Sequence, residues 1–446
     1  MAGLSLGEAK GGIILPRYAR GAVAIAICCL PLLTPAGPGN TGPVDAAVLV
    51  AIVCVAFAGF SEHIAMRLPL ALPVWMSILA GGLGAVVHNR AAHSSLMLSQ
   101  DILMLLWGGA VATAAQHGPT LKWLMRWWVK IGIVSSFGLV IGVETGIKSL
   151  SGYSLREANR AAFLFGDPNR CGLYLMMAFL IMRAAQYPRR PINRYAVGTI
   201  MLYAILLTGS NAAIAGLAVA LVVSAFIGAG RRGNVVTLFA WGSAAIILGG
   251  AMFMTLNLGA VSSSASGNSL LANNLGRASK STDSRSTILQ EDLNMFFVDD
   301  DFFGLGPDGT KATLKATEAA YVKEAHNDYV AAMTERGLLG LIALITFICL
   351  IGTRAGVMLS LKPPEHLLKY VPRPDLLGSG ALGVAVTGAF HQTLHFRHEW
   401  AFFGLLCGAA ILAKRGDGVV TPKSAIVVPT RDEKAPADKN VAARKF

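Results

Sequence analysis

The feature that most restricts this chain is a succession of sparsely charged apolar blocks, most of them about as long as a bilayer is thick. They lie at about 20–37, 44–60, 68–87, 95–115, 127–144, 170–186, 195–208, 211–228, 235–256, 331–353, 375–392 and 399–413. A helix needs roughly 20 apolar residues to cross the hydrocarbon core. Inside that core only helices and closed barrels satisfy their backbone hydrogen bonds. The blocks therefore predict an all-α, polytopic membrane protein with about 12 transmembrane helices. Composition agrees: 54% of the residues are apolar and 14% charged, against roughly 25% charged in soluble domains. No period of about 20–50 residues recurs, which argues against a solenoid.

The net charge is 38 − 25 = +13, a balance that in a soluble protein would suggest nucleic acid. Here the basic residues occupy short loops between apolar blocks, where they set orientation, and no nucleic-acid partner is expected. With the N-terminus in the cytoplasm, the inside loops hold Arg67, Lys122, Arg126, Arg189, Arg190, Arg194, Arg231, Arg232, Arg354, Lys362, Lys369, Arg373, Lys414 and Arg415. The short outside connections hold little beyond Arg90 and Arg397. Both termini are thus expected in the cytoplasm. Lys10, Arg17 and Arg20 precede the first apolar run, but Pro31, Pro35 and Pro38 suit a cleavage site poorly, so the first span is expected to be retained.

Two outside segments stand apart, one at about 145–169 and one of some seventy residues before the tenth block. The larger begins with a Ser-, Asn- and Gly-rich stretch, Ser262 to Gly276, read as poorly structured, and continues through a helical-looking run from Lys311 to Glu324. The domain reading is one transmembrane helical domain over 1–414, with a partly helical outside loop at 257–330, and a disordered cytoplasmic tail at 415–446. Six cysteines, Cys28, Cys29, Cys54, Cys171, Cys349 and Cys407, lie in or at the start of apolar blocks; they read as small buried apolar residues, not as a disulfide frame or a metal site.

Several residues could carry chemistry. His326, Tyr329, Val330, Met333 and Gly337 fall at helical spacing on one face, which places an imidazole at the membrane–water boundary. Histidine suits proton transfer near neutral pH; an interfacial histidine bonded to water or headgroups is the plainer reading. Arg156, Arg160, Arg170, Arg277 and Arg285 lie outside, against the charge rule, and guanidinium groups grip phosphate oxygens in pairs; Arg277 and Arg285 could instead balance Asp283 and Glu291. Asp167 and Pro168 form an ordinary helix start, leaving Arg170 as the better ligand contact. Gly304, Gly306 and Gly309 mimic a dinucleotide-binding pattern, but without a preceding strand they read as a tight turn beside Pro307. Asp299, Asp300 and Asp301 read as a solvated acidic run. His391, His395 and His398, with Glu399, read as the polar lining of an outer cavity, with no metal expected.

The segment Ala325-His326-Asn327-Asp328-Tyr329, followed by Glu335-Arg336-Gly337-Leu338-Leu339-Gly340, resembles the signature of the O-antigen ligase and polymerase superfamily. So do Phe303-Gly304-Leu305-Gly306-Pro307, the stretch Arg160 to Gly172 with its Phe165-Gly166-Asp167-Pro168-Asn169, and Thr208-Gly209-Ser210. The resemblance covers about residues 150–410. Where the family usually has an arginine after that serine, this chain has Asn211. The resemblance implies a GT-C-like fold in the bacterial inner (plasma) membrane and a metal-independent, inverting glycosyltransferase without a cofactor. The donor would be a glycan on undecaprenyl pyrophosphate, and the acceptor a glycolipid such as the lipid A core, or another glycan. On this reading His326 is the catalytic residue. Arg160, Arg170 and Arg285, with Asn169 and Arg277, hold the pyrophosphate, and Glu399 supports the histidine or the acceptor. A polymerase using the same donor is the close alternative. A lipid-linked sugar transporter is the distant one, since Asp101 is among the few ionisable residues inside a span and no internal repeat is visible.

Overall fold

The computed structural model describes residues 14–34, 41–62, 64–152, 160–234, 236–237, 240, 290–297, 302–316 and 327–415. Every regular element among them is helical. In chain order the labelled helices are α1 (Arg17–Cys29), α2 (Pro43–Glu62), α3 (Ala71–Val87), α4 (Ala91–Ala115), α5 (Gly118–Thr145), α6 (Lys148–Ser151), α7 (Pro168–Ala185), α8 (Pro191–Thr208) and α9 (Asn211–Arg231). There follow α10 (Gly309–Ala316), α11 (Asp328–Thr334), α12 (Gly337–Leu359), α13 (Glu365–Leu368), α14 (Pro374–Gly388) and α15 (Arg397–Arg415). Among the described residues five helices, α5, α9, α12 and α2 with the 94–115 part of α4, are long and apolar enough to cross a membrane, and α3 is a shorter apolar helix. The count of twelve remains an expectation, and the predicted span at 235–256 lies almost wholly outside the described residues.

Local chemistry explains the boundaries. Proline stands in the first turn of α5, α7, α8 and α14, where its missing N–H costs nothing. The landmark Thr208-Gly209-Ser210 is a two-residue hinge between helices. Gly209 adopts φ 59° and closes α8, and the Ser210 hydroxyl accepts the Ala213 N–H to open α9.

The helices alternate in direction, and their connections gather at two ends. At one end the Leu33 and Thr34 N–H groups donate to Leu164 O, Ala161 N donates to Leu207 O, and Arg397 grips Asp45 through Nε (2.8 Å) and Nη2 (3.0 Å). At the other end Lys122 donates to Lys369 O, and Arg231 binds Asp375, Met358 O and Ser360 O. Asp375 is fully buried and also receives Arg373 and the Ser224 hydroxyl, so that one carboxylate ties the ends of α9, α12 and α14 together.

Helix contacts rely on small residues. A Cβ added to Gly216 of α9 would stand 2.5 Å from Gly383 O of α14, and the reverse holds for Gly383. Gly404 of α15 abuts Gly108 O of α4 in the same way. Lipid supplies no hydrophobic drive between helices, so close backbone approach is what binds them. The outward faces of α2, α3 and α12 expose Leu49, Val53, Phe57, Leu72, Leu79, Val86, Ile342 and Ile345. An apolar belt of this extent on a monomer marks a surface made for lipid. Cys349 also lies exposed, which corrects its reading as a buried residue.

The tenth apolar block is not one helix. Asn327 is extended (φ −155°) and its side chain caps α11 by accepting from the Tyr329 and Val330 N–H groups. Glu335 and Arg336 then break the helix, and α12 starts at Gly337 with φ 62°. Gly337 therefore does not continue the helical face of Tyr329, Val330 and Met333, because helical periodicity does not carry across a break; His326, expected on the same face, lies outside the described residues.

Candidate functional site

The break before α12 receives a strap from the preceding loop. Leu305 N donates to Thr334 O (2.9 Å), Gly306 N to Glu335 O (3.0 Å), and Leu338 N to Phe302 O (3.0 Å). Gly309 N donates to Gly306 O (2.8 Å) and closes a turn around Pro307. A Cβ on Gly304 would strike the backbone at Glu335 to Gly337, and one on Gly84 of α3 would strike Gly304 O. The spaced glycines are thus a tight turn wedged between two backbones, and the amides of Leu305 and Gly306 are spent on carbonyls instead of a phosphate nest. Arg90 and Ser94 anchor the strap through Gly309 O (2.7 Å) and Pro307 O (3.2 Å).

Beside it stands the start of α7. Asp167 Oδ1 accepts from Asn169 N (2.8 Å) and Arg170 N (3.0 Å), the capping geometry expected of it. Arg160 donates through Nη2 to Asn169 Oδ1 (2.7 Å) and through Nε to Thr208 O (2.9 Å), the last carbonyl of α8. Two of the segments that carry the resemblance thereby meet at one guanidinium. Arg170 lies with its Cζ 5.0 Å from the centre of the Phe396 ring.

Phe396 belongs to the turn 389–396, which α11 also touches. Asp328 accepts from Thr393 N (2.9 Å), Thr393 Oγ1 (2.8 Å) and Leu394 N (3.3 Å). Burial pushes its carboxyl up to about 7, against the lowering effect of those donors. Tyr329 Oη donates to Ala385 O of α14 (2.8 Å). An unbroken series of contacts thus runs from Arg160 through Asn169, Arg170, Phe396 and Thr393 to Asp328, two residues after His326.

Of the residues predicted for the site, Arg160, Asn169 and Arg170 come together. Glu399 stands one helical turn below the 389–396 turn, is buried, and leaves its Oε2 without a partner among the described residues. His326, Arg277 and Arg285 lie outside the described residues, as do Arg156, Asp299, Asp300, Asp301, the stretch Ser262 to Gly276, most of the Lys311 to Glu324 run and the tail from 416. The three histidines divide. His395 lines a cavity, as expected, and burial together with the charges of Arg170, His391, Arg397 and His398 holds it well below its ordinary value. His398 instead packs among Phe165, Tyr174 and Phe396. Among the described residues no group of three or more His, Cys, Asp or Glu side chains could hold a metal ion.

The cavity measures about 170 Å³. Polar residues Asp308, Asp328, Glu335, Gln392 and His395 line it together with apolar Val74, Met97, Leu344 and Phe347. Arg336 lies within it, bound to Asp101 (2.8 Å) and Ser77. Asp101, one of the few ionisable residues inside a span by sequence, is therefore the counter-ion of a half-buried arginine. A smaller, largely apolar groove of about 90 Å³ runs between α12 and α14 and shares Asp328, Leu344, Phe347 and Leu394 with the cavity. Asp328, Glu335 and Arg336 all stand in the family-like segment, yet sequence reasoning gave them no role. The signal available was their charge beside the motif histidine and beside a span.

Residues 196–345 match the family model described as O-antigen ligase. Over those residues the chain is similar to the O-antigen ligase family. The matched segment starts in α8 and ends in α12, and it contains His326, Arg277 and Arg285; Arg160, Asn169, Arg170 and Glu399 lie outside it. The apolar helices and this match together indicate a multi-pass membrane protein. A comparison with curated proteins finds no match.

Proposed function

We propose that this protein transfers a glycan from undecaprenyl pyrophosphate to an acceptor hydroxyl at the periplasmic face of the bacterial inner membrane, with the lipid A core or a similar glycolipid as acceptor. The observation that carries the reading is the contact series from Arg160 to Asp328. It gathers arginines, the start of α11 and the last outer turn at one end of the bundle, within a chain whose 196–345 segment matches the O-antigen ligase family.

In this reaction the acceptor oxygen attacks the anomeric carbon, and the bond from that carbon to the pyrophosphate oxygen breaks. His326 takes the acceptor proton, and undecaprenyl pyrophosphate leaves with the bonding electrons. Single displacement from the opposite side inverts the anomeric centre. Arg160 and Arg170 face the charge that develops on the leaving group, with Arg277 and Arg285 as further donors; such preorganised charge is worth most in a water-poor site. Asn211 leaves the start of α9 uncharged, so Arg160, whose Nε sits on the last carbonyl of α8, supplies the positive charge there. No step in this scheme calls for a nucleotide, because the sugar–pyrophosphate bond stores the activation.

Deletion in a host that makes a polymerised surface glycan, with glycolipids resolved on a gel, tests the proposal. Loss of a ligase leaves long lipid-linked chains and bare core. Loss of a polymerase leaves core capped by a single unit. An unchanged glycolipid profile contradicts both.

A further inference from the structure

At the bundle end opposite the candidate site, cations from three connections gather. Lys122 and Arg126 stand in the first turns of α5, Arg189 in the link from α7 to α8, and Lys369 just after α13. Lys122 Nζ donates to Lys369 O (3.1 Å), and the charges of Arg126, Arg189 and Lys369 all reach it. Arg126 Cζ lies 5.6 Å from the centre of the Tyr187 ring, two residues before Arg189. Lys122 and Arg126 are half-buried, Arg189 and Lys369 exposed. At this same end Asp375 neutralises Arg231 and Arg373, but among the described residues no carboxylate forms an ion pair with any of the four. The surface below them suits lipid. Trp123, beside Lys122, is exposed, and its ring meets that of Trp127 edge-on at 6.4 Å; Lys130 Nζ lies 4.1 Å from the centre of the Trp127 ring. Indole rings settle at headgroup level. At about 3.6 residues per turn, Trp123, Val134, Phe137 and Ile141 fall on one face of α5, and all four are exposed. Charge thus caps an apolar track, which is the layout of an anionic headgroup above acyl tails. Guanidinium groups grip phosphate oxygens in pairs, and basic pockets between spans take anionic headgroups.

We infer that this cluster is a binding site for an anionic phospholipid, its phosphate held by Lys122, Arg126, Arg189 and Lys369 and its acyl chains lying along the exposed face of α5. Four positive charges exceed what one phosphodiester neutralises, so a lipid with two phosphates, of the diphosphatidylglycerol type, fits best. Once seated, it links α5, the α7–α8 connection and the end of α13. The site lies away from the proposed glycan chemistry and stands whether or not the protein transfers sugar.

The test uses the purified full chain in neutral detergent and native mass spectrometry, with titration of diphosphatidylglycerol, phosphatidylglycerol or phosphatidylethanolamine. Binding should weaken in that order. Arg126→Gln and Arg189→Gln should each weaken diphosphatidylglycerol binding about five-fold, and Arg126→Lys much less. Lys362→Gln and Lys414→Gln, which remove the same charge elsewhere on the chain, should leave it unchanged. With bromine-tailed diphosphatidylglycerol, Trp123→Phe should reduce the quenching of tryptophan fluorescence. Excess inorganic pyrophosphate should leave the lipid bound, because it has no tails to lay along α5. Phosphatidylethanolamine bound as well as the anionic lipids, Arg126→Gln and Arg189→Gln that bind like the parent, equal losses in the two lysine controls, or quenching that Trp123→Phe leaves unaltered would each overturn the inference. Displacement by pyrophosphate would make this a site for free anions and overturn the lipid assignment.

Discussion

Asp375→Ala should destabilise the whole bundle. The carboxylate is fully buried and receives Arg231 Nη1 (2.8 Å), Arg373 Nη2 (2.7 Å) and the Ser224 hydroxyl. Removing one partner of a buried ion pair costs about 3–5 kcal/mol, because the remaining charge is left uncompensated. The Arg231 and Arg373 side chains are 17% and 36% exposed, so water recovers part of that loss and the expected cost is about 3 kcal/mol. Asp375→Asn keeps one accepting oxygen and loses the charge, so about half the effect should remain. Equilibrium unfolding in mixed micelles measures both, with loss of helical signal against denaturant fraction. A double-mutant cycle with Arg231→Met should return a coupling of about 1–3 kcal/mol. An Asp375→Ala protein within about 0.5 kcal/mol of the parent would refute the reasoning, since the carboxylate would then not be what ties α9, α12 and α14.

Further outcomes follow from other parts of the molecule. Asp328 titrates near 7 when folded but at about 4 when unfolded. The folded state therefore binds the extra proton between those values, and the group's contribution to stability falls as pH rises through that window; Asp328→Asn should flatten the unfolding free energy across it, and an unaltered slope would contradict the assignment. Gly337→Ala should destabilise by about 2 kcal/mol or more, because φ 62° disfavours any Cβ and Phe302 O occupies its place; unfolding at the parent midpoint would contradict the tight packing of the strap. In intact cells a membrane-impermeant maleimide should label Lys148→Cys and spare Lys362→Cys in a background without native cysteines, and the opposite pattern would invert the proposed orientation.

Several helices were legible in the apolar blocks, because helix length answers to simple solvent physics. Blocks at 44–60, 211–228 and 375–392 became α2, α9 and α14 nearly as read. The block at 331–353 misled, because hydropathy does not register a break when Glu335 and Arg336 are flanked by apolar residues and Gly337 reads as one more small residue. At the candidate site the Asp167 cap was legible because capping is local. Asp328 was not, since its role depends on Thr393 and Leu394, more than sixty residues away. Sequence alone makes Asp101 one of the few ionisable residues inside a span; its partner Arg336 stands at a different helix boundary and comes only with the fold. The Gly304 and Gly306 turn was readable as a turn, but the close approach of α3 that demands glycine came only with the fold.

The most direct measurement is transfer by the purified protein. Full-length chain, a labelled glycan on undecaprenyl pyrophosphate and a lipid A core acceptor should together yield glycosylated acceptor and undecaprenyl pyrophosphate without nucleotide. His326→Ala should abolish that product, and Arg160→Lys should slow it while the protein remains folded. A purified, folded protein that forms no product, or a His326→Ala variant that transfers at the parent rate, would contradict the account.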